Sequence, residues 1–214
     1  MSEEARARED ICRIAKSMFD RGLTAGSSGN ISVRLSDGSF LMTPTGCSMG
    51  FLEPARLCRL DAGMRYLDGD KPTKEAPLHA AFYDTRAQTG AVVHLHSTHS
   101  VAVSMLPDLD PDNVLPPLTP YTIMRLGKVK LLPFFLPGDA AMGDAVRGLA
   151  GRRSAVLLAN HGPVVAGKDL DAVAFAIEEL EEAAKLTLLT QGLHVNRLSE
   201  QAVQDIVTQF DVDW

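Results

Sequence analysis

Residues 92–100 read VVHLHSTHS, an apolar run that opens into three histidines within six positions. Read as a strand, the run places alternate side chains on one face. His94 and His96 then project together, while Leu95 turns to the opposite, buried side. Two imidazoles so arranged can reach one zinc-sized ion at about 2.0–2.1 Å. The other reading of an H-x-H pair is two rings that hydrogen-bond each other or the backbone. His99 lies past Ser97, where the chain begins to turn, so its ring is expected to leave the strand face for a helix surface or a packing role.

Outward from this strand, the pattern alternates between helical and extended segments. Ile11, Ile14, Ala15 and Met18 recur at helical spacing among charges, which predicts an amphipathic helix over 3–21 that ends near Gly22. TAGSSGNISVRL is a turn of small residues leading into an alternating strand, Ile31, Val33, Leu35. SDGSFLMTPTG reads as a turn, a second strand and a loop. Segment 74–85 carries Glu75, Leu78, His79 and Phe82 on one helical face. Residues 101–105 read as a helix, the proline-rich 107–120 as loop, and VKLLPFFLP as a strand whose Pro133 favours an edge or an irregular end. A helix over 138–149, the strand SAVLLAN and the turn HGP follow. Asp169 can cap a helix over 170–191 that repeats Leu180, Ala184 and Leu188 on one face, and a short helix over 199–209 comes last. Strands and helices do not alternate strictly, so the expected class is a layered α/β domain with a largely antiparallel sheet, spanning 1–214 as one unit.

Composition excludes several functions. The chain has 214 residues, 45% of them hydrophobic, enough to bury one good core. Its net charge of −6 and the lack of a basic stripe argue against nucleic acid or an acidic membrane as the main partner. Cys12, Cys47 and Cys58 form no C-x-x-C pair, which speaks against a disulfide framework or a cysteine zinc knuckle. No apolar stretch approaches the roughly 20 residues of a membrane helix. The charged N-terminus lacks the apolar segment of a secretory signal, so a cytoplasmic protein is expected.

A second histidine signal lies in VLLANHGPVV. His161 stands at a strand end, and Gly162 after it lets the backbone pass close to a ligand. It would supply a third imidazole. Three neutral imidazoles leave a zinc ion dipositive with open positions, the pattern of a catalytic Lewis acid. Glu75, in KPTKEAPLH, is the best acidic candidate; the plain alternative is a solvated first-turn glutamate that favours the helix dipole. His79, one turn later, is expected to pack beneath the site or orient the carboxylate.

These residues resemble a known family. GSSGNISVRL, TPTG, KPTKE, VVHLHS and LLANHGPVV occur in the order and spacing of the class II aldolase/adducin superfamily, over roughly residues 8 to 190. TPYTIMRLGKVKLLPFFLPGD and NHGPVVAGKDLDAVAFAIEELEEAAKL look closest to its branch of 3-oxo-tetronate 4-phosphate decarboxylases. The resemblance implies a three-layer α/β/α fold and one zinc ion on His94, His96 and His161, with Glu75 able to touch the metal when substrate is absent. It implies a homotetramer with sites between subunits and a small phosphorylated sugar acid as substrate. Phosphate contacts would fall to Gly29 and Asn30, Thr45 and Gly46, and Thr73 and Lys74. Backbone N–H groups and hydroxyls in such turns can surround a dianion.

The implied chemistry is loss of the C1 carboxylate as carbon dioxide through an enediolate stabilised at the metal, then return of a proton to C2. Glu75 or Tyr121 would deliver that proton, giving dihydroxyacetone phosphate. Tyr121 follows Pro120 in the expected loop and reads either as a residue reaching a neighbouring subunit's site or as a packed surface tyrosine. An aldolase or 4-epimerase acting on a phosphosugar such as fuculose or ribulose phosphate is the alternative within the same site. A non-catalytic assembly module is the alternative outside it.

Overall fold

In the computed structural model, which describes residues 1–214, eight strands form one sheet. They are β1 (Asn30–Arg34), β2 (Phe40–Met42), β3 (Cys58–Leu60), β4 (Tyr66–Asp68), β5 (Ala91–His94), β6 (Lys130–Leu132), β7 (Ala155–Leu158) and β8 (Gly162–Gly167). Their order is β4-β3-β2-β1-β5-β8-β7-β6. Every pairing is antiparallel except β6 with β7. The helices are α1 (Glu3–Asp20), α2 (Ala76–Thr85), α3 (Thr98–Val103), α4 (Pro120–Leu126), α5 (Ala141–Arg147), α6 (Leu170–Leu189) and α7 (Glu200–Phe210).

The two faces of the sheet carry different side chains, as the period of two requires. Ile31, Leu41, Val93, Leu95, Leu157 and Val165 join α1 and α6 in one core. Met42, Val92, Val156, Leu158 and Val164 join Leu78, Phe82, Met142 and Val146 of α2 and α5 in the other. These are the three layers, α/β/α.

Helix α1 buries Ile11, Ile14, Ala15 and Met18, the face read from the sequence, and Ser2 caps it by accepting the Ala5 N–H. Complete burial of a side chain such as Ile11 stabilises the fold by about 1.5–3 kcal/mol. Asp169 caps α6 through the Ala172 N–H, as expected. Strand β6, followed by Pro133, is an edge strand.

Four elements differ from the sequence expectation. Strands β3 and β4 and helix α4 were not legible, and the apolar run after the HGP turn is itself strand β8. Strand β4 is exposed throughout, so it has no buried alternation to reveal it. Helix α4 begins within a proline-rich stretch, with Pro120 at its first turn and Thr119 capping the Thr122 N–H. Tyr121 therefore stands on a helix, not in a loop.

Candidate metal centre

Strand register brings the first candidates together. On β1 and β5, Asn30 pairs directly with His94, and His94 pairs on its other side with Val164 of β8. Alternation points Asn30, Ser32 and His94 toward α2, the helix that Glu75 introduces. Glu75 sits at the N-cap position of α2 rather than inside its first turn, and it is 7% exposed.

The three histidines converge. One ligand-capable atom from each of His94, His96 and His161 lies within 4.8 Å of the others. The Nε2 atoms of His94 and His96 are 3.1 Å apart. Tetrahedral zinc with bonds of about 2.0–2.1 Å requires nitrogens about 3.3 Å apart, so the pair is close to that spacing. His94 Nδ1 donates to the Pro163 carbonyl at 2.9 Å, which leaves the Nε2 lone pair facing the cluster. His161 is 8% exposed, yet neither of its ring nitrogens has a partner. An orphaned buried polar atom costs about 1–3 kcal/mol, and a cation among the three rings would remove that cost. The donor set and its spacing fit a divalent metal.

Electrostatics favour the ligand form of the rings. Loss of water around the His96 ring, with His94 and His161 beside it, pushes its pKa down to about 4. Burial lowers that of His161 as well. Glu75 Oε2 lies 3.5 Å from His94 Nε2, and Oε1 lies 3.5 Å from His161 Nε2. Burial pushes the Glu75 carboxyl up, but His94, a hydrogen bond from Asn30 and His161 together hold it below the usual carboxylate range.

Glu75 is oriented by a directional chain. Asn30 Nδ2 donates to Glu75 Oε2 at 2.7 Å, and Asn30 Oδ1 accepts from His79 Nε2 at 2.5 Å. Because Oδ1 can only accept, His79 carries its proton on Nε2 and its Nδ1 accepts from the Ser32 hydroxyl at 2.7 Å. Tyr83 Oη then donates to Ser32 Oγ at 2.8 Å. Complete burial lowers the His79 pKa to about 3, so the ring is neutral. His79 thus orients the carboxylate through Asn30, the role expected of it. Ser32 and Tyr83 were missed, although Ser32 follows Asn30 by two on a strand and Tyr83 follows His79 by four on a helix.

The anion-binding candidates occupy neighbouring segments. Gly29 packs so closely that a Cβ would lie 3.0 Å from the His94 carbonyl oxygen. The Thr45 N–H bonds to the Lys71 carbonyl and the Thr73 N–H to that of Thr43, which ties loop 43–46 to loop 71–74. Thr43 Oγ1 accepts the Ile31 N–H, which joins both loops to β1. Thr73 Oγ1 accepts the Glu75 N–H, and Lys74 is exposed. The Asn30 carboxamide is engaged with Glu75 and His79.

Two other candidates lie elsewhere. His99 donates from Nδ1 to Glu181 at 2.8 Å and is outside the cluster. Tyr121 is 56% exposed on α4 and absent from the lining of the cleft of about 530 Å³ that includes His96, His161, Asn160 and Pro137.

Comparison with known proteins gives a concordant result. Residues 9–188 match the class II aldolase and adducin N-terminal domain family. The chain is 49% identical over 203 residues to a 3-oxo-tetronate 4-phosphate decarboxylase of Escherichia coli, covering 95% of this chain and 96% of the relative. It is 34% identical over 184 residues to an L-fuculose phosphate aldolase of Methanococcus maripaludis, covering 86% and 95%. The crystal structure of YgbL from Escherichia coli superposes with a TM-score of 0.94 at 44% identity, covering 96% of this chain and 99% of that one.

Proposed function

The chain belongs to the class II aldolase and adducin family, and from that premise we propose that it is a metal-dependent 3-oxo-tetronate 4-phosphate decarboxylase, a carbon–carbon lyase. The observation that carries the reading is the meeting of Glu75 with the three imidazoles of His94, His96 and His161. The greater identity to decarboxylases than to fuculose phosphate aldolases favours carbon dioxide loss over aldol cleavage.

We assign the metal to His94, His96 and His161, with Glu75 as a further ligand when no substrate is bound, and zinc as the ion. Bound there, such an ion supplies a Lewis acid for the electron pair left when the C1 carboxylate departs. The chain's own groups do the rest. The Pro163 carbonyl fixes the tautomer of His94. His96 is neutral at pH 7, so it gives up no proton to bind a cation.

Glu75, ionised at rest and aimed by Asn30, is suited to hold one proton near the cluster and give it to C2 after carbon dioxide has left. The proton consumed overall comes from solvent, and the product is dihydroxyacetone phosphate. Gly29, Asn30, Thr45, Gly46, Thr73 and Lys74 would cradle the phosphate through N–H groups, hydroxyls and one ammonium. Tyr121, exposed on α4, is assigned to the site of a neighbouring subunit in a homotetramer. No helix is long and apolar enough to cross a membrane. Three unpaired cysteines accord with a reducing compartment, and we place the enzyme in the cytoplasm.

The test is an assay for carbon dioxide and dihydroxyacetone phosphate from both 3-oxo-tetronate 4-phosphate stereoisomers. One stereoisomer should release the two products in equal amounts, a chelator should stop the reaction, and zinc should restore it. No carbon dioxide from either substrate, with rapid aldehyde formation from fuculose phosphate, would replace this reading by the aldolase.

A further inference from the structure

The sheet does not by itself fix the spacing of the metal-binding rings. The ladder between β5 and β8 ends at the pair His94–Val164, so both His96 and His161 lie beyond it. Gly162 allows the closest approach there, since a Cβ on it would come 2.3 Å from the Leu95 carbonyl oxygen. Beyond the Leu95 N–H bond to the Pro163 carbonyl at 3.2 Å, a further restraint is α3, which starts two residues after His96. It is tied at its first turn to α6 and at its C-cap to the residue before His161.

At the first turn of α3, Glu181 of α6 accepts the backbone N–H groups of His99 and Ser100, each at 2.9 Å. It also accepts the Ser100 hydroxyl at 2.6 Å and His99 Nδ1 at 2.8 Å. At the C-cap, the Ser104 hydroxyl donates to the Val101 carbonyl at 2.7 Å, which leaves its oxygen to accept the Asn160 N–H at 3.1 Å. Asn160 has φ +56° and immediately precedes His161. Asparagine adopts that region more readily than other non-glycine residues, and here the Ser104 oxygen holds its N–H. Ser104 is 3% exposed, whereas Asn160 is exposed at the rim of the cleft, so the serine ties an exposed turn to a buried anchor.

We propose that α3 is a bracket that sets the separation of His96 from His161, with Ser104 and Glu181 as positioning residues for the metal centre. The inference rests on the metal reading of these histidines. Loss of the Ser104 oxygen frees the Asn160 backbone and lets His161 drift, whereas loss of the Glu181 charge frees the turn that carries His96. Neither residue touches substrate.

The test uses cobalt(II) in place of zinc, because its visible absorption reports ligand geometry, together with zinc affinity measured by competition with a chelator. Ser104→Ala should shift the cobalt band and weaken zinc binding about ten- to hundredfold, the usual effect of removing a group that orients a ligand. Ser104→Thr, which keeps the oxygen, should restore most of the affinity. A Ser104→Ala protein with a lower melting temperature but an unchanged cobalt band and zinc affinity would overturn the bracket, because the serine would then be merely structural. If Ser104→Ala does not fold, the same two measurements on Glu181→Gln decide, a shifted band supporting the bracket and an unchanged one overturning it. Wild-type protein that takes up neither metal would remove the metal reading itself, a result distinct from wild type and variants binding alike.

Discussion

Glu75 and Glu181 are both buried glutamates, at 7% and 6% exposure, and each faces a histidine of the segment 94–99. Their surroundings differ in the number of donors. Glu181 has both oxygens filled, by two backbone N–H groups, a hydroxyl and one imidazole. Glu75 has one side-chain donor, Asn30, and two imidazole nitrogens at 3.5 Å that are too distant for good hydrogen bonds. A saturated carboxylate is fixed in one state. An under-supplied one, beside the His161 ring with its two orphaned nitrogens, retains capacity for a metal or a proton.

The sharpest way to break this contrast is to remove one histidine from the cluster beside Glu75 and the one that Glu181 holds. His96→Ala should abolish metal retention and turnover together, whereas His99→Ala should keep a full complement of metal, as read by elemental analysis of the purified proteins. Stoichiometric metal in both would mean that the cluster beside Glu75 is not the centre.

A smaller effect is expected from changing the carboxylate itself. Glu75→Gln keeps the volume and the Asn30 contact but removes the charge and the proton-holding oxygen. Turnover should fall about 10²- to 10⁴-fold, the range for loss of a general acid–base group, with metal still bound and little change in melting temperature. Unchanged turnover would leave Tyr121 as the proton donor and make Glu75 a second structural carboxylate.

The sequence showed one of these glutamates and concealed the other, for a physical reason. Glu75 stands among small and cationic residues in KPTKEAPLH, a motif of the family the sequence resembles, so it was legible although 86 residues separate it from His161. Glu181 acts across 82 residues on His99, and in sequence it is one of several acidic residues in EELEEAAKL. Helical spacing marks Leu180 and Ala184 as buried, but it does not reveal that an adjacent glutamate joins them. The same limit hid the side-chain partners of Asn30. The resemblance names this residue as a phosphate contact, and its side-chain hydrogen bonds are set by pairing with β5 and by the neutral tautomer of His79. Strand β8 was concealed differently, since Gly162 and Pro163 signal a turn and the ladder begins at those very residues.

The most modest effect concerns Glu181 and acid. Burial raises its pKa, but the Ser100 hydroxyl, the N–H groups of His99 and Ser100, and His99 Nδ1 outweigh burial and leave it below the ordinary value of 4.5. A folded pKa below the unfolded one means that the stabilisation is fully present above about pH 4.5 and is lost as pH falls toward the folded value. Glu181→Gln should cost about 2–3 kcal/mol at pH 7, because an amide supplies one acceptor oxygen and turns its NH₂ toward groups that already donate. His79, with its pKa lowered to about 3, also makes the fold less stable as pH drops below 6.5, but it does so in wild type and variant alike. Subtracting the two unfolding curves, measured on metal-free protein, therefore isolates Glu181. The difference should be flat from pH 7 to about 4.5 and shrink below it. A difference that stays constant down to pH 3 would mean that Glu181 gains nothing from its charge, and the two carboxylates would then differ only in location.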